Sequence, residues 1–176
     1  MNLRKINAGL SLLCTVLLMD HAIFHAVWML SRGSIPKTAS SLPRILFMLM
    51  LIHAIISIVL AIRGHKGTEK RKYNGYPNMN LPTYIQRASG IALILFTVLH
   101  IAGAVGLMRP PRLVHAIVPP LFFTISLMHT AISTSKACIT LGIGNVKLVK
   151  MVDIAMKVIC AVTLIADVVG FYLYKV

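Results

Sequence analysis

Long runs of apolar residues divide this chain into five blocks that are separated by short polar segments. The blocks cover residues 6–30, 44–62, 83–108, 115–140 and 152–174. A helix needs about 20 apolar residues to cross the hydrocarbon core of a membrane, and each block has roughly that length or more. No other segment is long enough to fold alone. We therefore predict a single domain over residues 1–176, an all-α integral membrane protein built as a bundle of five transmembrane helices.

The amino-acid composition supports a membrane protein, and its cysteines give no sign of disulfides or of covalently attached haem. Charged residues make up 12% of the chain, whereas a soluble domain carries about a quarter. The first apolar block is longer than the core of a signal peptide and is followed by no small-residue cleavage site, so it is predicted to be a helix. The three cysteines lie in apolar blocks without a C-x-x-C pair. The sequence thus predicts neither a disulfide framework nor a covalent haem attachment site.

The positive charges predict how the helices are oriented. The net charge is +14, with 18 Lys and Arg against four Asp and Glu, and the charges lie between the apolar blocks. If the N-terminus is cytoplasmic, twelve of the basic residues fall on the inner side and six on the outer side. Basic loops are typical of the cytoplasmic side, so a cytoplasmic N-terminus is predicted. This placement also argues against nucleic acid as a partner.

Histidines are the main candidates for chemistry within the membrane. Five of the seven histidines lie inside the apolar blocks, away from their edges: His21 and His25 in helix one, His53 in helix two, His100 in helix three and His129 in helix four. Ionisable residues inside a membrane are rare, and they mark functional sites often enough to be the default candidates. Each of the first four predicted helices contributes at least one, and the fifth contributes none.

The depths of these histidines form two levels. His21 and His100 lie nine and eight residues before the outer ends of their blocks, while His53 and His129 lie nearer the cytoplasm. Two levels with two imidazoles each are what two bis-histidine haems b require. His25 shares a helical face with His21, about 6 Å further out, and only one of the two can be the ligand. The depth match to His100 favours His21.

Zinc fits the same pattern less well. A structural zinc site needs four ligands that converge at one depth, usually with cysteines among them. Here the histidines fall at two depths, and no cluster of Cys or Glu accompanies them.

The segment "YIQRASGIALILFTVLH" carries a family resemblance. The pattern of Gln86-Arg87, Ser89-Gly90 and then His100 resembles helix three of the diheme cytochrome b membrane anchor in the succinate dehydrogenase and fumarate reductase family. The segments "LIHAIISIVLAIRGHKG" and "FTISLMHTAISTSKACITLGI" resemble helices two and four of that family. Together with the ordered set of four histidines, the resemblance covers nearly the whole chain.

The resemblance implies a role, cofactors and partners. Such subunits lie in the cytoplasmic membrane of bacteria or archaea and bind an FAD-containing flavoprotein and an iron–sulfur subunit on the cytoplasmic face. They carry electrons between these and menaquinone or ubiquinone through two haems b. The anchor does not itself act on the dicarboxylate, but it is the quinone-reactive subunit. By position, His53 and His129 would hold the inner haem, and His21 and His100 the outer one.

Other polar residues keep two interpretations each. Arg87 either pairs with a haem propionate or extends towards the lipid headgroups. His25 either packs or hydrogen-bonds a propionate or a quinone oxygen. Asp20 is either protonated and hydrogen-bonded in the bundle or part of a proton path. Some family members place a glutamate near the start of helix two, where this chain has "SSLPRILFMLM", so the quinone site is not carried over.

Two other functions remain open from the sequence. One is the cytochrome b of a formate dehydrogenase or hydrogenase, although the histidine spacing differs and the Q-R-x-[ST]-G opening is foreign to that group. The other is a small proton-coupled transporter, in which Asp20, His21 and Asp167 would relay protons.

Overall fold

Five long helices make up almost all of the structure. The computed structural model describes residues 2–31, 41–68, 81–104, 107 and 112–175. The helices are α1 (Leu3–Leu30), α2 (Ser41–Thr68), α3 (Leu81–Ala104), α4 (Arg112–Leu141) and α5 (Val146–Lys175), and no strand occurs among the described residues. Each helix is long and apolar enough to span a membrane. The prediction of an all-α, multi-pass membrane protein is confirmed.

The connection between α4 and α5 is shorter than the sequence predicted. Gly142 has a φ of 74°, and the N–H of Ile143 donates to the carbonyl of Cys138. Glycine in this left-handed conformation is a common way to end a helix. Asn145 then caps α5, since its side chain accepts a backbone N–H from the first turn at 2.9 Å. As a result α5 begins at Val146, six residues before its predicted start.

The outer end of α3 also differs from the prediction. The sequence block runs to residue 108, but α3 ends at Ala104. The N–H of Leu107 donates to the carbonyl of Ala102 at 2.9 Å, a bond spanning five residues that is typical of a helix end. His100 is therefore closer to the end of its helix than the sequence indicated.

The helices pack around a central pair, α1 and α4. The helix α5 contacts both of them, α2 packs mainly on α1, and α3 packs on α4. The main cluster of buried residues joins α1, α4 and α5 through Met19, Ala22, Leu127, Ala131 and Cys160. Because α2 and α3 lie at the edges, they leave many large apolar side chains exposed, as suits contact with lipid tails.

Successive helices run in opposite directions. Hydrogen bonds pair the first half of one helix with the last half of the next: Asn7 with Ser57, Gln86 with Ser133, and Ser135 with Asp153. One end of the bundle, called the basic end below, therefore carries Arg4, Lys5, Arg63, Lys66, Arg87, Lys136, Lys147, Lys150 and Lys157. At the opposite end the described helices carry Arg44, Arg112 and Lys175.

We predict that the close contact of α1 and α5 depends on Gly170. A Cβ at this position would lie 2.8 Å from the Cβ of Met29 and 3.4 Å from the backbone nitrogen of Leu30. Gly170→Ala should force the helices apart and lower the free energy of unfolding by about 1–3 kcal/mol. Titration with a denaturing detergent in mixed micelles measures this.

Gly9→Ala on α1 is the matched control, because a Cβ there would have no neighbour within 4 Å. Alanine is the better helix former, so Gly9→Ala should leave the stability unchanged or raise it by up to about 1 kcal/mol. Equal effects of the two substitutions would show that Gly170 has no special role in packing.

Candidate functional site

The intramembrane histidines form two groups at different heights in the bundle. His53 and His129 are close enough for the charge of one ring to affect the other, and they lie nearer the basic end. His100 interacts in the same way with His21 and His25 in the opposite half. These charge interactions link α2 to α4 in the inner group and α1 to α3 in the outer group, although neither pair of helices packs extensively together. The predicted pairing of histidines as ligands stays a prediction.

The His129 ring is held in one orientation by α3. The hydroxyl of Ser89 donates to the carbonyl of Gln86 at 3.1 Å, so its single proton is engaged. The His129 Nδ1–H must then donate to the Ser89 Oγ, which lies 3.0 Å away. This fixes the tautomer in which Nε2 carries the lone pair. A metal-binding histidine needs that arrangement, and a hydrogen bond on its other nitrogen usually sets it.

The neighbouring residues of the same α3 segment also act on α4. A Cβ at Gly90 would lie 3.2 Å from the His129 Cε1, so the absence of a side chain gives the imidazole its space. Gln86 donates to the Ser133 Oγ at 3.1 Å and accepts from the Lys136 Nζ at 2.8 Å. Three positions of the Gln86–Gly90 segment thus position one histidine and the helix that carries it.

The second histidine of the inner group, His53, interacts with the backbone of Asn7 on α1. His53 lies on α2, which packs mainly on α1. Its Nδ1 is buried and has no hydrogen-bond partner among the described residues. A buried ring nitrogen without a partner is costly, so it marks a position where a ligand or water would add stability.

A hydrogen-bonded acid and base connect α1 to α5 in the outer group. The His25 Nδ1 lies 2.9 Å from the Asp167 Oδ1, and Asp167 is fully buried. An ionised carboxylate only accepts, so the ring donates through Nδ1 where Asp167 is ionised, and a neutral ring then has its lone pair on Nε2. The second carboxylate oxygen, Oδ2, has no partner among the described residues. Asp167 is recognisable from the sequence as an intramembrane acid, but its pairing with His25 is not.

A row of aromatic rings crosses the bundle at the same height. His25 contacts Phe123 with 5.0 Å between ring centroids, and His100 stacks on Phe122 at 4.9 Å. The two phenylalanines are neighbours on α4, with their centroids 6.2 Å apart. Trp28, one turn beyond His25, adds a further ring at 6.4 Å. No periodicity in the sequence distinguishes these phenylalanines from ordinary core residues.

The outer group surrounds a small cavity of about 30 Å³, enough for one or two water molecules. It is lined by all three outer histidines, Phe122, Phe123, Ser126 and Asp167, with apolar residues of α1 and α4. The buried hydroxyl of Ser126 also has no partner among the described residues. Polar atoms with unused hydrogen-bonding capacity are thus concentrated around one space.

The donor chemistry of both groups fits axial ligation of haem. Each group offers imidazoles from two helices. In each group one histidine, His129 or His25, has its Nδ1 in a hydrogen bond, which leaves Nε2 for a metal. Within the described ranges no three His, Cys, Asp or Glu side chains are placed so that they could hold one metal ion together. Phe122 and Phe123 fill the space between the outer rings, so a porphyrin would enter only as these side chains turn aside.

Two predicted site residues lie outside these groups. Arg87 is exposed at the basic end, close enough to Lys136 for their charges to interact. Its predicted contact with a propionate stays a prediction. Asp20 is exposed on α1 rather than enclosed in the bundle, which does not support the interpretation that it is hydrogen-bonded inside. It points away from the core because it lies one residue, about 100°, from the buried Met19.

Comparison of the whole chain with known proteins found no match: no family model, no curated protein and no solved structure corresponds to it. The resemblance to diheme cytochromes b consequently rests on the quoted segments and the four histidines alone.

We predict a measurable coupling energy between His25 and Asp167. Asp167→Ala leaves the His25 N–H without an acceptor in a buried place, so the free energy of unfolding should fall by about 1–3 kcal/mol. The double variant His25→Ala/Asp167→Ala should lose less than the sum of the two single variants, because both partners are then removed. Detergent unfolding of the three variants and the parent completes the cycle.

The pair of Asp153 and Lys157 on the same helix is the matched control. Its atoms lie 2.6 Å apart, but Lys157 is 57% exposed. Exposed ion pairs contribute little, so a cycle on this pair should give a coupling of about 0–1 kcal/mol. Additive effects at His25 and Asp167 would rule out the predicted hydrogen bond.

Proposed function

We propose that the chain is the membrane-anchor cytochrome b subunit of a quinone-linked oxidoreductase, of the succinate dehydrogenase or fumarate reductase type. Two haems b, each held by two histidines, would carry electrons between a membrane quinone and a flavoprotein/iron–sulfur pair on the cytoplasmic side. The chain contributes ligands, orientation and a water-poor environment. The bound haem supplies reversible one-electron chemistry of its iron.

One observation carries this proposal: the intramembrane histidines of four helices are grouped in space as two separate pairs of helices. Nothing in general helix packing requires histidines to meet in this way, since lipid-exposed helices associate through small residues and van der Waals contacts. In the inner group, Ser89 orients His129 and Gly90 makes room for it. That is the support an axial ligand needs, and it explains why the segment from Gln86 to Gly90 has its particular residues.

Charge at the basic end supports the proposed orientation and partners. Nine Lys and Arg of the described helices lie there, together with the acid Asp153 on α5. Such an excess is typical of the cytoplasmic side, which gives a cytoplasmic N-terminus. It also gives a surface to which a soluble subunit with acidic patches would bind. The inner histidines are the ones nearer to that surface.

A second candidate is a small proton-coupled transporter, and the buried pair of His25 and Asp167 favours it. Intramembrane acid–base pairs next to a small polar cavity occur in proton relays. A relay, however, gives no reason for the Ser89 and Gly90 arrangement around His129. The visible spectrum of the purified protein separates the candidates, since haem b has sharp bands in the reduced state and a transporter has none.

We predict two haems b per chain. Pyridine haemochrome analysis with protein quantitation should give a ratio near two for the protein purified from a host that makes haem. His53→Ala and His129→Ala should each remove the same haem, because the two rings belong to one site. A ratio of zero would exclude the cytochrome proposal, and loss of different haems in these two variants would exclude the inner pair.

We also predict that Ser89 supports the inner haem without binding it. Ser89→Ala removes the acceptor for the His129 N–H, and loss of such supporting hydrogen bonds typically weakens metal binding by about 10–100-fold. The inner haem should then dissociate more readily when apo-myoglobin is added as a haem acceptor. Ser135→Ala is the control, since Ser135 donates to Asp153 and not to a histidine. Equal haem loss in both variants would contradict the assigned role.

A further inference from the structure

We propose that two copies of this chain associate side by side in the membrane through the exposed face of α1, with their two Asp20 carboxyl groups in contact. The inference concerns assembly and does not rest on the proposed cytochrome function. Three observations support it: the position of Asp20 within its helix, the spacing of the exposed residues around it, and the groove that lies beside them.

Asp20 is a carboxyl group that faces lipid. Between Lys5 and Arg32 it is the only Asp, Glu, Lys or Arg, and it lies at least twelve residues from both. Its side chain is exposed and makes no hydrogen bond or ion pair with a described residue, although its charge acts on the neighbouring His21. Acids within transmembrane helices are costly, and almost all of them face a bundle interior or pair with another polar group. Asp20 therefore requires a polar partner that lies against the outside of α1.

The exposed residues of α1 form one continuous line, called the α1 seam below. Between residues 6 and 30 they follow one another at alternating intervals of three and four residues, and the apolar ones are 45–65% exposed. The seam consists of Leu13, Val16, Asp20, Ile23, Val27 and Leu30. Alternating intervals of three and four are the pattern by which parallel helices interlock, and a single polar residue in such a line sets the register of the pair. Asp20 occupies that position.

A groove between α1 and α5 lies beside the half of the seam that is farther from the basic end. It has a volume of about 370 Å³ and is lined by apolar side chains, among them Ile23 and Val27 on α1 and Val158 and Val162 on α5. Because the groove adjoins the seam, side chains from the seam of a second copy can enter it. The contact thereby widens from a single line of residues to a surface that two helices form.

The membrane favours a second copy as the partner of this face. All copies insert in the same direction, so a twofold axis between two of them runs along the membrane normal and keeps their α1 helices parallel. Each seam residue then lies at the depth of its counterpart, and Asp20 meets Asp20 without any further requirement. An unrelated helix would need a polar residue at that same depth. Two carboxyl groups in contact share a proton, so the pair is hydrogen-bonded and carries at most one negative charge.

Disulfide formation in native membranes tests whether the seam is an interface. Val16→Cys and Ile23→Cys place thiols on the seam on either side of Asp20, and oxidation with copper phenanthroline should link the full-length chain into a dimer of twice its mass. Ile94→Cys on α3 is the matched control, because it is as exposed as Ile23, at 43% against 45%, but lies on a different helix. It should stay monomeric, as should the parent, whose three cysteines are buried.

Three results of this experiment would overturn the proposal. They are equal crosslinking at the seam and at Ile94, no dimer from either seam variant, and linkage of the seam variants only to a different protein. The last result would assign the face to a partner of another kind.

Dilution of the purified chain in phosphatidylcholine vesicles tests the part played by Asp20. Energy transfer between dye-labelled chains gives the dissociation constant of the dimer. Asp20→Leu should weaken association by about 5–30-fold, the effect of losing an interhelical hydrogen bond. Asp20→Asn should largely retain association, since an amide both donates and accepts. Asp153→Asn removes a carboxylate away from the seam and should leave association unchanged.

The outcome of this measurement is independent of haem. A parent chain that stays monomeric at every dilution would overturn the proposed interface. Association that is equally strong in Asp20→Leu would overturn the contact between the carboxyl groups. Neither result bears on the haem content that tests the proposed function.

Discussion

A polar side chain in hydrocarbon must find a hydrogen-bond partner on another helix or within its own, and this constraint governs the interior of the bundle. Backbone N–H and C=O groups are hydrogen-bonded within each helix, so only the polar side chains need further hydrogen-bond partners. The hydroxyls of Thr130 and Thr134 bond to carbonyls one turn back on α4. The groups that need an outside partner are the histidines and Asp167. His129 bonds to Ser89 on α3, and His25 bonds to Asp167 on α5. These two contacts fix the orientation of the two imidazoles.

These cross-helix bonds depend on close packing elsewhere. Helices in a membrane approach each other where residues are small, because lipid tails already solvate the apolar side chains. Gly90 lets α3 accept the ring of His129, and Gly170 lets α5 lie against Met29 on α1. The second contact brings Asp167 to the level of His25. In this way two glycines help to position the two hydrogen-bonded imidazoles, those of His129 and His25.

The two histidine groups differ in a manner that suits electron transfer. In the inner group a neutral hydroxyl supports the ring, and in the outer group a buried carboxylate does so. Two chemically similar sites can differ in potential only through such surroundings, since the donor atoms are the same. The basic end lies next to the inner group, where the proposed soluble partners would bind. In the proposed function, the inner group is therefore the one nearer to the soluble partners.

Much of this molecule followed from residue order alone. The five apolar blocks predicted five helices, because segments of this length and apolar character cross hydrocarbon as helices, and the positions of His53 and His129 along their helices predicted a similar depth for the two rings. Helix ends were less predictable. The early end of α3 at Ala104 and the early start of α5 at Val146 depend on local hydrogen bonds rather than on hydropathy.

The partners across the bundle were decided only by tertiary structure. His25 and Asp167 are 142 positions apart, and their contact requires α1 and α5 to run in parallel and to pack closely. Likewise, Phe122 and Phe123 have the same apolar character as their neighbours, and only the rotation of α4 directs them to His100 and His25. Sequence gives the depth of a side chain in the membrane because the rise per residue is fixed. Its direction and its neighbours come from how the helices pack.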